Sequence, residues 1–376
     1  MTILRPISSL VLSLVSGLVS SLVSTLAGLL MLATSASAQI SLTPPAAEPP
    51  AAAKPAAKAT PKPPVAAKKP APPAAAPKPA ATPIPPAATA APTPAPDDPN
   101  ADLVYGAYQR GQYKTAFDLA TVRAQAGDPK AMTMLGELYS NALGIKRDYA
   151  RAVDWYKRAA DAGDREAMFA LAMMRIAGRG GPIDKQEGVK LLASSAKLGE
   201  PKAAYNLALL YLDGQTLPQD VKRCAELLRM AADAGNPEAQ YALATFYKEG
   251  TGVEKDAEKA VRLLQAASLA DNVDAEVEYA IALYNGTGTP KNEAAAVALL
   301  RKAAKQNSPI AQNRLARVLT SGQGAPVDKV EALKWHLIAK TAGKRDPMLD
   351  EALGDLSAED RAKAEDAARR WLGTVK

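Results

Sequence analysis

Six alanines set the register of this chain. Ala131, Ala167, Ala203, Ala239, Ala275 and Ala311 follow one another at a constant spacing of 36 residues. The stretches around them vary one theme, among them AGDPKAMTMLGELY, AGDREAMFALAMMR and AGNPEAQYALATFY. Self-similarity at such a period marks an array of supersecondary units. A unit this small cannot bury its apolar face alone, so each must stack on its neighbours and the array grows along one direction.

Each period reads as two helices. The first opens on a residue whose side chain can accept from the orphan amides of a first turn: Asp128, Asp164, Asn236, Asn272 or Ser308, with Glu200 the weak match. Pro129, Pro201, Pro237 and Pro309 follow at the first helical position, where proline sacrifices no hydrogen bond. Inward positions recur at helical spacing: Ala131, Leu135, Leu138; Ala203, Leu207, Leu210; Ala239, Leu243, Phe246. The helix stops at paired glycines such as Gly178/Gly180 and Gly250/Gly252. The second helix opens at Asp148, Asp184, Asp220, Asp256, Asn292 and Asp328, and Glu187 and Glu331 have the spacing of a capping box. Its apolar stripe is Ala152, Trp155, Tyr156, Ala159 in one unit and Ala260, Leu263, Leu264, Ala267 in another. The alanines permit the two helices of a hairpin to approach closely.

These residues resemble the SEL-one-like repeat family, a relative of the tetratricopeptide repeats. Its pattern runs A-x-x-L-G-x-x-Y, G-x-G, D-x-x-x-A-x-x-W-Y-x-x-A-A, then G. The first unit supplies Ala131, Leu135, Gly136, Tyr139, Gly144, Asp148, Ala152, Trp155, Tyr156, Ala159, Ala160 and Gly163. Departures are Arg175 for the tyrosine, Gly188 and Cys224 for the small alanine, Tyr279 for the leucine, and Thr216 within a glycine pair. The resemblance implies an all-α, right-handed α/α superhelical solenoid of about six 36-residue repeats over residues 130–345. Residues 101–129 read as an N-terminal capping hairpin, with Ala116 one period before Ala152. Residues 346–376 read as a C-terminal capping helix opened by Ser357 and Asp360, its face formed by Ala364, Ala367, Ala368, Trp371 and Leu372.

Ahead of the repeats the chain changes character. Arg5, a Leu/Val/Ser-rich run and Ala36-Ser37-Ala38 make residues 1–38 a secretory signal with an A-x-A cleavage site. Serines dilute the run, which favours cleavage over retention of residues 8–33 as an inner-membrane anchor. Residues 39–100 are almost wholly Pro, Ala, Lys and Thr and are expected to be a disordered, polyproline-like linker. At ~3.1 Å per residue it reaches on the order of 180 Å. A periplasmic or secreted location follows, with membrane contact only through an uncleaved signal segment.

The net charge of +7 is misleading about partners. Before residue 101 there are seven basic and three acidic residues, leaving 39 basic and 36 acidic in the repeats and caps. Nucleic-acid binding needs a one-sided basic surface, and none is expected. The glycine pairs lack the G-x-x-x-x-G-K-[ST] run of a phosphate cradle. Cys224, the one cysteine, stands where other units have alanine and reads as a packing thiol. His336, the one histidine, takes the place of Tyr156 and reads as an interfacial aromatic. Cysteine-paired relatives once linked to β-lactam hydrolysis give no precedent here, since the pairs are missing. No enzymatic activity, cofactor or metal site is expected.

The resemblance places the first helices on the concave face. Two residues beyond each phase alanine stand Thr133, Phe169, Tyr205, Tyr241, Val277 and Asn313; six beyond stand Glu137, Met173, Leu209, Thr245, Ile281 and Arg317. In both rows the outer units are polar and the middle ones, Thr245 excepted, apolar or aromatic. Phe169, Met173, Tyr205, Leu209, Tyr241 and Ile281 are therefore candidate anchors of a groove for a protein or peptide partner. The tyrosines also suit a plain stacking role. Exported proteins of this resemblance include a periplasmic negative regulator of exopolysaccharide production that restrains a sensor kinase. A sensor kinase or other envelope protein is accordingly the partner implied, with a linker-tethered structural role in the cell wall or in polarity as the alternative.

Overall fold

The computed structural model describes residues 102–374. The signal segment and the whole of the Pro/Ala-rich linker expected from the sequence lie outside the described residues. Sixteen helices and no strand occur among those described. Two form an N-terminal hairpin, α1 (Leu103–Gln109) and α2 (Tyr113–Gln125). Six hairpins follow: α3 (Pro129–Asn141) with α4 (Tyr149–Asp161), α5 (Arg165–Ala177) with α6 (Lys185–Lys197), α7 (Pro201–Asp213) with α8 (Val221–Asp233), α9 (Pro237–Glu249) with α10 (Ala257–Leu269), α11 (Val273–Asn285) with α12 (Glu293–Lys305), and α13 (Pro309–Ser321) with α14 (Lys329–Thr341). The chain ends in a short α15 (Pro347–Ala352) and a longer α16 (Ala358–Thr374). Each helix packs chiefly on the one before and the one after it; the main exception is α16, which passes over α15 to pack on α14. That contact pattern defines an α/α solenoid. None of the described helices is long and apolar enough to cross a membrane.

The phase alanines have a double use. All six are buried. In five repeats the alanine amide also donates to the cap side chain, as from Ala167 to Asp164 at 2.7 Å and from Ala239 to Asn236 at 2.7 Å. Glu200, the weak match by sequence, also caps its helix, accepting from the Lys202 amide at 3.3 Å. The second helices are capped as expected, for example by Asp148 on the Arg151 amide and Asp328 on the Glu331 amide.

The capping boxes form only in half. Asp184 and Asp328 accept from the amides of Glu187 and Glu331, but their own amides donate to the carbonyls of Arg175 and Leu319 in the paired helix. The same bond recurs in every hairpin, from Asp148 to Tyr139, Asp220 to Tyr211, Asp256 to Tyr247 and Asn292 to Leu283. Hairpin closure has claimed the donor that the glutamate would otherwise reach.

The second glycine of each pair answers to the neighbouring repeat. A Cβ on Gly180 or Gly288 would fall 2.4 or 2.3 Å from the carbonyl oxygen of Tyr149 or Ala257, the first residue of the preceding repeat's second helix. At the C-terminal end Ala364 and Ala368 are buried as expected, but Leu372 is exposed. The sequence reading also missed α15, although Asp346-Pro347 carries a cap and a helix-starting proline.

Candidate partner-binding face

The six candidate anchors sit on four successive first helices: Phe169 and Met173 on α5, Tyr205 and Leu209 on α7, Tyr241 on α9 and Ile281 on α11. All six are half-buried. Phe169, Tyr205 and Tyr241 pack along the flank of the central core, and Ile281 along the C-terminal one. Met173 and Leu209 are not among the side chains packed on either core. Val277, in the same row as the tyrosines, is buried.

Each tyrosine faces acid from the next repeat. Burial, and then Glu238, push the Tyr205 phenol up to about 12. Burial, and then Asp274, Glu278 and Glu249, do the same for Tyr241. The rings therefore stay neutral hydrogen-bond donors on a face whose centre is apolar and whose C-terminal part carries carboxylates.

The polar ends of the two rows have a local use that the sequence did not disclose. Thr133 donates to Asp164, the cap of the next helix, at 3.1 Å. Glu137 accepts from Asn141 at 2.7 Å, Tyr156 at 3.3 Å and Tyr108 of α1 at 3.5 Å. Burial raises the Glu137 pKa against the pull of these bonds and of Lys202, two repeats away. At the other end Asn313 and Arg317 both donate to the buried Asp346, at 2.8 and 2.7 Å. Asp346 caps α15. The outer polar residues thus dock the terminal helices. The polar–apolar–polar grading arises from capping as well as from any ligand.

Reactive chemistry is poorly served. Burial pushes the Cys224 thiol up to about 12, leaving it protonated and inert. His336 is buried, with Nε2 2.8 Å from Asp350 of α15, so it ties the cap to the last repeat. No three His, Cys, Asp or Glu side chains converge as metal ligands among the described residues. An open depression of about 480 Å³ between Glu258, Arg262, Gly288, Thr289 and Pro290 lies away from the six candidate anchors.

An α/α solenoid of two-helix units in constant phase, presenting a graded row of half-buried side chains, defines a repeat protein built for surface contact. The Sel1 repeat profile matches residues 129–164, 165–200, 201–236, 237–272, 273–308 and 309–344, and the chain belongs to the Sel1 repeat family. Members of that family generally serve as non-catalytic scaffolds for protein partners. A solved Sel1 repeat protein from Oxalobacter formigenes is 27% identical, with a TM-score of 0.57, over 64% of this chain and 98% of that one. A protective antigen of uropathogenic Escherichia coli with the same type of fold is 25% identical over 69% of this chain and 64% of its own, with a TM-score of 0.46. An immunity protein from Pseudomonas aeruginosa is 19% identical over 65% of this chain and 82% of its own, with a TM-score of 0.37. No curated protein matches the chain.

Proposed function

We propose that this chain is a non-enzymatic adaptor or regulator on the outer side of the inner membrane, holding a protein or peptide on the face lined by Phe169, Met173, Tyr205, Leu209, Tyr241 and Ile281. The observation that carries the reading is the alignment of these half-buried side chains across four consecutive repeats. Aromatic and aliphatic groups of this kind anchor peptides because burying them gains apolar contact at little further entropic cost. The A-x-A site at residues 36–38 supports the periplasmic or secreted location. Family resemblance supports an envelope-signalling partner such as a sensor kinase in exopolysaccharide control, by analogy alone.

Crosslinking in intact cells, followed by capture from the envelope fraction, tests the proposal. A partner crosslinked through probes at Leu209 or Tyr241 is expected. Crosslinks confined to the opposite, second-helix face would overturn it. A structural role in the cell wall or in polarity is the second reading, favoured by the length and composition of residues 39–100. Replacing that segment with an unrelated spacer separates the two: an adaptor keeps its function, and a wall-bound protein loses it.

A further inference from the structure

Glu276 follows the phase alanine of the fifth repeat and is fully buried. Neither of its carboxylate oxygens accepts a hydrogen bond of normal geometry. The Lys302 ammonium lies 2.5 Å from Oε1, an ion pair whose angles fall outside those of a hydrogen bond. That lysine is 46% exposed and also holds Asp271 at 2.7 Å.

The corresponding places in the fourth and sixth repeats hold Gln240 and Gln312. Gln240 Nε2 donates to the carbonyl of Ala232, and Gln312 Nε2 to that of Ala304, each at 3.2 Å. Both bonds cross a repeat junction, from a first helix back to the preceding second helix. The carbonyl in register with those two is that of Ser268, on α10. A carboxylate has no proton to donate to it. The junction between repeats four and five lacks the bond made on either side of it, as do the earlier junctions, where Met132, Met168 and Ala204 stand, but this one buries a carboxylate in its place.

The apolar core divides at the same residue, as it also does at points along the N-terminal repeats. Up to Ala275 the buried side chains belong with repeats two to four; from Val277 onward they belong with the C-terminal end. Tyr279 packs against both. A one-dimensional stack parts first at its weakest nearest-neighbour interface.

We propose that the junction between repeats four and five is a built-in hinge, weakened by the buried Glu276 and bridged by the Lys302–Asp271 pair, at which the solenoid opens as two blocks, residues 102–272 and 273–374. Five of the candidate anchors lie on the first block and Ile281 on the second, so the hinge sets the width of that face. The hinge itself holds whether or not the face binds a partner.

Native-state hydrogen exchange of the whole protein in sub-denaturing urea, read by mass spectrometry, tests this. The two blocks should exchange as separate units with a boundary at Asn272. Glu276→Gln restores a donor to the Ser268 carbonyl and should slow the faster block about tenfold. Gln240→Glu transplants the defect and should create a second boundary at Asn236. If Gln240→Glu fails to fold, Lys302→Met, which strips the counter-ion, must speed exchange of the faster block. Uniform exchange across Asn272 in the native protein, or no change in Glu276→Gln, overturns the proposal.

Discussion

The ring of Tyr156 lies directly over the Cα of Gly136, so that a Cβ there would sit 2.5 Å from the ring. The other five repeats carry alanine at the Gly136 position, and four of them set it against leucine: Ala172 with Leu192, Ala208 with Leu228, Ala244 with Leu264 and Ala280 with Leu300. The glycine is the space that the larger side chain takes. Gly136→Ala should therefore destabilise by about 1–3 kcal/mol, the usual penalty for overpacking. In the double variant with Tyr156→Leu the two losses should not add, because the pair becomes that of the other repeats. Urea denaturation of the four members of this cycle measures the coupling; simple additivity would count against the packing argument.

Ala142 ends α3 at φ +59, where the other first helices end on glycine. A left-handed non-glycine residue costs roughly 1–2 kcal/mol. Glycine gives back about 0.4–1 kcal/mol through the greater freedom of the unfolded chain. Ala142→Gly should thus stabilise by about 0.5–1 kcal/mol, seen as a higher urea midpoint with an unchanged slope.

Binding and stability separate best at Met173 and Leu209, which stand off the packed cores. Met173→Ala and Leu209→Ala should each weaken partner capture by roughly thirtyfold while moving the melting temperature by only a few degrees. Tyr205→Ala and Tyr241→Ala should weaken capture as well, at a larger cost in stability because both rings flank the core. Leu207→Ala, buried on the same helix as Tyr205, should destabilise strongly at roughly 2–5 kcal/mol. Full capture by the Met173 and Leu209 variants would remove the proposed anchors.

Acid should release the C-terminal cap before the repeats melt. Burial works to raise the Asp346 pKa, but the hydrogen bonds from Arg317 and Asn313 outweigh it and hold the carboxyl below its ordinary 3.8. The His336 hydrogen bond and then Lys340 lower Asp350 as well. A carboxyl depressed in the folded state binds its proton less readily than in the unfolded chain. Its stabilisation is present above the unfolded value and is lost as pH falls through the folded one. Trp335 and Trp371 meet edge to face at 5.2 Å between α14 and α16, so their fluorescence should report the loss below about pH 4. Asp346→Asn should start with a weakened cap and show a flatter acid response.

The repeats were readable because one signal was written six times. Caps, prolines and phase alanines agree with one another and need only local geometry to act. What escaped the sequence depends on distant partners. The role of Glu137 needs Tyr108, and that of Arg317 needs Asp346, each roughly a repeat length away. The capping boxes at Glu187 and Glu331 failed because a carbonyl of the paired helix reached the donor first. Glu276 was visible in phase with Gln240 and Gln312, but only burial turns that difference into a weakness.

The bond from each second-helix cap amide to the first helix, as from Asp148 to Tyr139, closes within a single hairpin. The faces that hairpins offer one another are nearly alike, down to the glycine that clears the neighbour's first carbonyl. A gene segment encoding one such hairpin could be copied or lost in frame without orphaning a backbone group. The length of this protein is thus an inherited count, free to drift by whole hairpins so long as the two ends keep Tyr108 and Asp346 to close it.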